Sequence, residues 1–199
     1  MIYIIRHGQT EKNQAFVLQG RSDMPLNDTG IRQAEAAGEW FRAQGIRFDR
    51  VYSSPLGRAV RTAEIVAGGD VPVEIEESLI EMDYGPYEGM DLKKPAPEVL
   101  AFFKDFAGTP APEGMEQLDS VVGRLGAFLE RIREEAASGN VLIATHAIAM
   151  KGALEYLTPE SRGSYWSKYI GNCAIYRAGC PGGIYEVPAE IEWDQEAQQ

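Results

Sequence analysis

The chain opens on an uninterrupted apolar stretch, Ile2 to Ile5 before Arg6, and then turns polar. A short apolar run without alternation fits a strand buried on both faces, so Ile2–Arg6 reads as a buried strand. From Thr10 to Gly30 polar and turn residues dominate, as in QGRSDMPLNDTG, and a long irregular loop is expected. Ile31, Ala34, Ala37, Gly38 and Phe41 then recur at helical spacing, with Asp28 or Thr29 as cap and Gly45 as stop. Arg50–Ser53 predicts a second strand, and Pro55 suits the first position of a helix running through LGRAVRTAEIV to Gly68. A third short strand is expected over Val73–Glu76.

Residues 77–116 carry loop signals, with one helical stretch over Glu98–Phe106. Leu118, Val121, Val122, Leu125, Phe128, Leu129 and Ile132 mark the apolar face of a strong amphipathic helix. Val141–Thr145 reads as another buried strand and Ala147–Leu157 as another helix, while Asn172–Arg177 and Ile184–Val187 alternate loosely, as edge strands do. Strands alternating with helices predict an α/β fold, a three-layer α/β/α sandwich with a mainly parallel central sheet. No repeat or linker divides residues 1–199, so a single domain is expected. Ligands in such sheets sit beyond the carboxyl ends of the strands. Arg6-His7-Gly8 ends the first strand and Thr145-His146-Ala147 ends the strand from Val141, so the only two histidines are expected to share one crevice.

Composition narrows the partners. The 199 residues, 44% hydrophobic, suit one domain with a sizeable core. With 19 Lys and Arg against 30 Asp and Glu the net charge is -11, which disfavours nucleic acid and anionic membrane as partners. The opening apolar run is too short for a signal peptide. Two cysteines, Cys173 and Cys180, cannot build a disulfide framework, so a cytoplasmic location is expected. The charge is uneven: residues 1–62 hold nine basic and six acidic side chains, the remainder ten and twenty-four.

Elimination then points to a chemistry. No GxxxxGK[ST], no GxGxxG after the first strand and no GxSxG occurs, and neither cysteine is followed by Arg at the sixth position. No HxH, HExxH or CxxC spacing suggests a metal, and no cofactor is implied. Histidine, arginine and carboxylate remain. A neutral imidazole at His7 could attack phosphorus and split one displacement into two. Arg6 offers a planar fork for phosphoryl oxygens, and Gly8 a flexible backbone with an N–H for an anion. Arg58 falls in the first turn of a helix, where a cation opposes the dipole unless an anion joins it.

These segments resemble the histidine phosphatase superfamily, also called the phosphoglycerate mutase-like family. The resemblance is carried, in family order, by RHGQTEKN (6–13), QGRSDMPLNDTGIRQA (19–34), SSPLGRAVRTAE (53–64), LIEMDYGPYEG (79–89) and THA (145–147). It implies His7 as nucleophile, with Arg6, Arg58 and a protonated His146 holding the phosphoryl group. Glu81 matches the acidic proton donor, with Asp83 as the substitute, while Glu76, Glu77 and Glu88 read as a solvated face. Asn13 is implied as a further phosphate contact, Gln19 and Gly20 as substrate-side lining, and Ala147 as a small residue whose N–H can face the phosphate. The family also implies a small lid insertion, here about residues 90–116. Its Lys93 and Lys94 are either solvated or reach an acidic group of the substrate.

Three positions depart from the family: Ala147 where Gly is common, and Lys12 and Tyr87 where Trp is common. The resemblance implies a metal-independent phosphomonoesterase acting on a small phosphorylated metabolite. The alternatives are a phosphoglycerate mutase using the same phosphohistidine, which resembles longer chains with a larger insert, and a non-catalytic phospholigand-binding protein.

Overall fold

The computed structural model describes residues 1–193. The opening apolar run forms β1 (Ile2–Arg6), all four of its apolar residues buried. A five-residue helix α1 (Glu11–Ala15) and a longer α2 (Asp28–Ala43) lead to β2 (Arg50–Ser53), then α3 (Gly57–Ala67) and β3 (Val73–Ile75). Beyond two 3-10 turns come α4 (Pro97–Lys104), α5 (Leu118–Arg131), α6 (Arg133–Ser138), β4 (Val141–Thr145) and α7 (Ala147–Leu157). β5 (Ile175–Ala178) and β6 (Ala189–Glu190) follow. The six strands form one sheet in the order β3-β2-β4-β1-β5-β6. The first four are mutually parallel, and β5 and β6 add antiparallel pairings at one side.

Alternation along β1 separates two cores. Ile2 and Ile4 face Val121, Leu125, Phe128 and Ala153 on the α5 and α7 side. Tyr3 and Ile5 face Ala34, Ala37, Phe41, Ala63 and Val66 on the α2 and α3 side. The sheet is thus covered on both faces, as a mainly parallel sheet must be. No helix of the described residues is long and apolar enough to cross a membrane.

Several expected boundaries shift. The loop expected over 10–30 contains α1, which Thr10 opens with a capping box to Asn13. α2 begins at Asp28 because Asn27 is its cap, its side-chain oxygen accepting from the Gly30 N–H at 2.8 Å. Helical geometry in α3 starts at Gly57 and not at Pro55, since Leu56 stays extended. The expected strand over 172–177 is cut to Ile175–Ala178, because Cys173 adopts a positive φ of 56°. Residues 184–187 form no strand: Ile184 and Val187 face solvent, the Tyr185 hydroxyl donates to the Leu129 carbonyl and the Glu186 N–H to the Gly179 carbonyl, and the sheet resumes only at Ala189.

The end of β1 sits tightly against α2. A Cβ on Gly30 would lie 2.1 Å from the Gln9 carbonyl oxygen and one on Gly8 2.4 Å from the Gly30 carbonyl oxygen. Gly30→Ala is expected to cost about 1–3 kcal/mol by overpacking. Gly123→Ala, with nothing within 4 Å of the added carbon, should be neutral or stabilising by about 0.5–1 kcal/mol. Urea denaturation of the two variants checks the contrast; equal stabilities would contradict it.

Candidate active site

Register assembles the site. Arg6 pairs with Thr145 across β1 and β4, and Ser53 with Ala144 across β2 and β4. The next residues, His7, His146 and Ser54, therefore leave the sheet side by side, and the imidazole centroids lie 5.1 Å apart. Both histidines are buried.

The hydrogen bonds of His7 assign its tautomer. Nδ1 lies 2.7 Å from the Gly8 carbonyl oxygen, which can only accept, so Nδ1 carries the proton. Nε2 lies 3.3 Å from Arg58 Nε, which can only donate, so Nε2 holds the lone pair. Burial, then Arg6 and Arg58, push the His7 pKa well below that of a free imidazole, and the ring is neutral. His146 sets Nε2 2.7 Å from the Ser54 hydroxyl and leaves Nδ1 unpartnered. Burial, then Arg58, His7 and Arg6, hold its pKa well below that of a free imidazole; the proton expected on it belongs to the state that holds a phosphoryl group.

Arg58 is fully buried, its two terminal nitrogens donating to the carbonyls of Ser22 at 2.8 Å and Gly20 at 2.6 Å. The dipole penalty expected at its helix start is offset by a resident carboxylate. Asp23 accepts from the Gly57 N–H at 2.7 Å and lies 3.7 Å from Arg58. Arg6 donates to the Ile170 carbonyl and leaves Nε without a partner. The buried Glu81 is held by three backbone amides. Oε1 accepts from Met82 at 2.8 Å and Ala149 at 3.0 Å, and Oε2 from Ile148 at 3.2 Å. The last two are first-turn amides of α7, the positive end of that helix.

Asn13 turns its carbonyl oxygen to the Thr10 N–H at 3.1 Å and to the Asn172 amide at 3.3 Å. Gln19 accepts from the Thr10 hydroxyl and leaves Nε2 buried without a partner. Three of the five such orphaned side-chain atoms among the described residues, on Arg6, Gln19 and His146, belong to this site, and each nitrogen can donate. Gly20 has its carbonyl on Arg58 and its N–H on Glu88 at 3.0 Å. Ala147 opens α7 directly after His146. Gly8 differs from expectation: its N–H is taken by the Thr62 hydroxyl at 3.0 Å and does not face an anion. Asp83 turns away to Arg21 at 3.2 Å, Arg61 pairs with Glu64 on the surface, and Lys93 and Lys94 are exposed, Lys93 lying 5.2 Å over the Phe16 ring.

Four residues of the site were not singled out from the sequence. Ser54 holds His146, and Thr62 joins the Gly8 amide to the Arg58 carbonyl. Asn172 donates to the His7 carbonyl at 3.0 Å. Lys151 is buried one turn into α7, its Nζ donating to the Trp166 carbonyl at 2.8 Å and lying 5.2 Å over Phe106. Burial lowers its pKa to about 8 against the opposing pull of Glu81. Thr62, four residues after Arg58 on one helix face, carried a readable signal; Asn172 carried none. Among the described residues no three His, Cys, Asp or Glu side chains converge as metal ligands.

Known proteins resemble this chain in sequence and in fold. Residues 2–187 match the histidine phosphatase superfamily (branch 1). A Bacillus subtilis protein named uncharacterized phosphatase PhoE is 34% identical over 154 residues, covering 77% of this chain and 75% of its own. A Yersinia pestis protein named probable phosphoglycerate mutase GpmB is 31% identical over 181 residues, covering 88% and 83%. The crystal structure of a phosphoserine phosphatase from Entamoeba histolytica, in complex with 3-phosphoglyceric acid, superposes with a TM-score of 0.84 at 25% identity over 97% of each chain. With its sheet, its paired histidines and a family match over nearly its whole length, the chain belongs to the histidine phosphatase superfamily, branch 1, and is an enzyme of that phosphatase class.

Proposed function

We propose that the protein hydrolyses small phosphomonoesters through a covalent phosphohistidine on His7, with no metal taking part. The observation that carries this reading is the Nε2 lone pair of a neutral, buried imidazole held 3.3 Å from a guanidinium. The substrate phosphoryl group lies between His7 and the donors of Arg6, Arg58, Gln19 and His146, with Asn13 and Ala147 at its edge. His7 Nε2 bonds to phosphorus as the ester P–O bond breaks in line, and the cations spread the equatorial charge. Arrival of the dianion favours a proton on His146. Glu81 gives its proton to the leaving alkoxide, then takes one from the water that attacks phosphorus as the N–P bond breaks. Inorganic phosphate leaves and His7 is restored. Oε2 of Glu81, with one amide against two on Oε1, is the oxygen that exchanges the proton.

Segment 90–116 acts as the small lid over this pocket. The family structure holding 3-phosphoglyceric acid supports a small phosphorylated substrate. Cys173 and Cys180, both free and buried, suit a reducing cytoplasm. A mutase reading draws on the relative named a probable phosphoglycerate mutase. Release of one inorganic phosphate per 3-phosphoglycerate consumed separates hydrolysis from isomerisation.

Alkaline quenching on the turnover timescale, with a label on the phosphoryl group of p-nitrophenyl phosphate, should trap label on His7, and His7→Ala should abolish both label and turnover. Wild-type turnover in His7→Ala, or its loss on adding EDTA to the wild type, would sink the mechanism. Glu81→Gln should lower kcat/KM, which reports the phosphoryl-transfer step, by about 10²–10⁴-fold for alkyl esters, and by much less for p-nitrophenyl phosphate, whose leaving group needs no proton. An equal loss on both substrates would remove Glu81 from that role.

The depressed histidines also set a pH dependence of stability. Unfolded imidazole takes up a proton near 6.5 while the folded rings resist it. The unfolded state then binds more protons, so stability is retained above pH 6.5 and lost as pH falls below it. Each ring contributes up to about 1.4 kcal/mol per pH unit. Urea midpoints of the ligand-free protein at pH 7.5, 6.5 and 5.5 should fall along that series. His146→Gln should flatten the trend, and an unchanged slope would contradict it.

A further inference from the structure

Arg58 does not hold itself in place. Its two terminal nitrogens donate to carbonyls of an irregular loop, those of Gly20 and Ser22, so its aim depends on what fixes that loop. The fixing group is Glu88. Both of its carboxylate oxygens lie 3.0 Å from the Gly20 N–H, and Oε1 also accepts from the Ser22 hydroxyl. Lys12 closes the arrangement from α1, its Nζ donating to Ser22 Oγ at 2.7 Å and standing 3.8 Å from Glu88. Main-chain bonds from Leu18 to Met90 at 2.8 Å and from Gly89 to Leu18 at 2.9 Å bring the two segments together. The fit leaves no room for a side chain at residue 20, where a Cβ would fall 2.6 Å from Glu88 Oε2 and 2.7 Å from the Tyr84 ring.

We infer that Lys12, Ser22 and Glu88 form a positioning clamp that aims the Arg58 guanidinium at the phosphoryl group through the carbonyls of Gly20 and Ser22. The clamp rests on the proposed role of Arg58. Glu88 and Lys12 hydrogen-bond to neither His7 nor Arg58. They act at one remove, by holding the two acceptors that fix the plane of the Arg58 fork. A guanidinium that swings loses alignment with equatorial oxygens more than with a ground-state phosphate, so the loss falls on transition-state stabilisation. Glu88 also stands two residues before segment 90–116, so the same carboxylate joins the root of that segment to the phosphate-binding arginine.

The test compares Glu88→Ala, Glu88→Gln, Lys12→Met and Arg58→Ala in the full chain, with kcat and KM for p-nitrophenyl phosphate and inhibition by vanadate and by inorganic phosphate. Glu88→Ala should lower kcat about tenfold, change KM far less, and weaken vanadate more than phosphate. Glu88→Gln, whose amide oxygen can still accept from Gly20 and Ser22, should recover most of the loss. Lys12→Met should fall between wild type and Glu88→Ala. A loss of thermal stability with kcat and the vanadate-to-phosphate ratio unchanged overturns the clamp. If Glu88→Ala does not fold, Lys12→Met decides: wild-type kcat and vanadate inhibition there also overturn it. Collapse of Arg58→Ala alone, with the clamp variants intact, defeats the clamp and leaves the phosphatase mechanism standing. Full activity in Arg58→Ala defeats both.

Discussion

Everything at the site depends on three parallel strands ending level with one another. Because Arg6 pairs with Thr145 and Ser53 with Ala144, the residues that follow emerge as neighbours without any contact of their own having to arrange it. That register is in turn held by the two cores, since a slip of one residue would send Ile2 and Ile4 to the α2 and α3 side and Tyr3 and Ile5 to the other. The spacing of the two imidazoles is therefore inherited from apolar packing several residues away. A site on strand ends gains its precision this way, and loops alone would hold it less firmly.

The second constraint concerns how buried charge is held. Arg6, Arg58 and Lys151 all donate to main-chain carbonyls, those of Ile170, Gly20, Ser22 and Trp166. A carbonyl satisfies an N–H without cancelling a full positive charge. Glu81 shows the mirror image, a carboxyl group satisfied by amides and by no cation. Ionic partners would have neutralised the pocket. Backbone partners orient these groups and leave the field in place, which adds to burial in pushing both histidines toward their neutral forms. Such a field is organised before a dianion arrives and needs little rearrangement when it does.

This division explains what the sequence made legible. Strands, the main helices and the pairing of the two histidines follow from local periodicity and from where strands end, and both are written in short stretches of chain. Arg58 was legible for a local reason too, a cation at a helix start. The reason it is tolerated was not, because Asp23 reaches that helix from a loop more than thirty residues earlier. Ser54, Asn172 and the Gly8 to Thr62 bond likewise join segments far apart in sequence, and neither spacing nor composition encodes such meetings. The misplaced strands at 172–177 and 184–187 have the same origin: alternation was present, but a positive φ at Cys173 and the anchoring of Tyr185 on Leu129 decided the backbone.

The acidic stretch from Glu74 to Asp91 is the sharpest case, because its neighbours in sequence diverge in space. Glu74 pairs with Arg50, Glu76 with Arg131 and Asp83 with Arg21, while Glu88 takes Lys12 and the Gly20 amide and Glu81 takes the start of α7. Exposed pairs of this kind are worth only about 0–1 kcal/mol each, so their number adds little to stability. Their placement matters more. Among the described residues no carboxylate forms an ion pair with Arg6 or Lys151, and Arg58 has only Asp23 at 3.7 Å. A chain of net charge -11 can keep a cationic pocket because the carboxylates able to neutralise it are committed elsewhere.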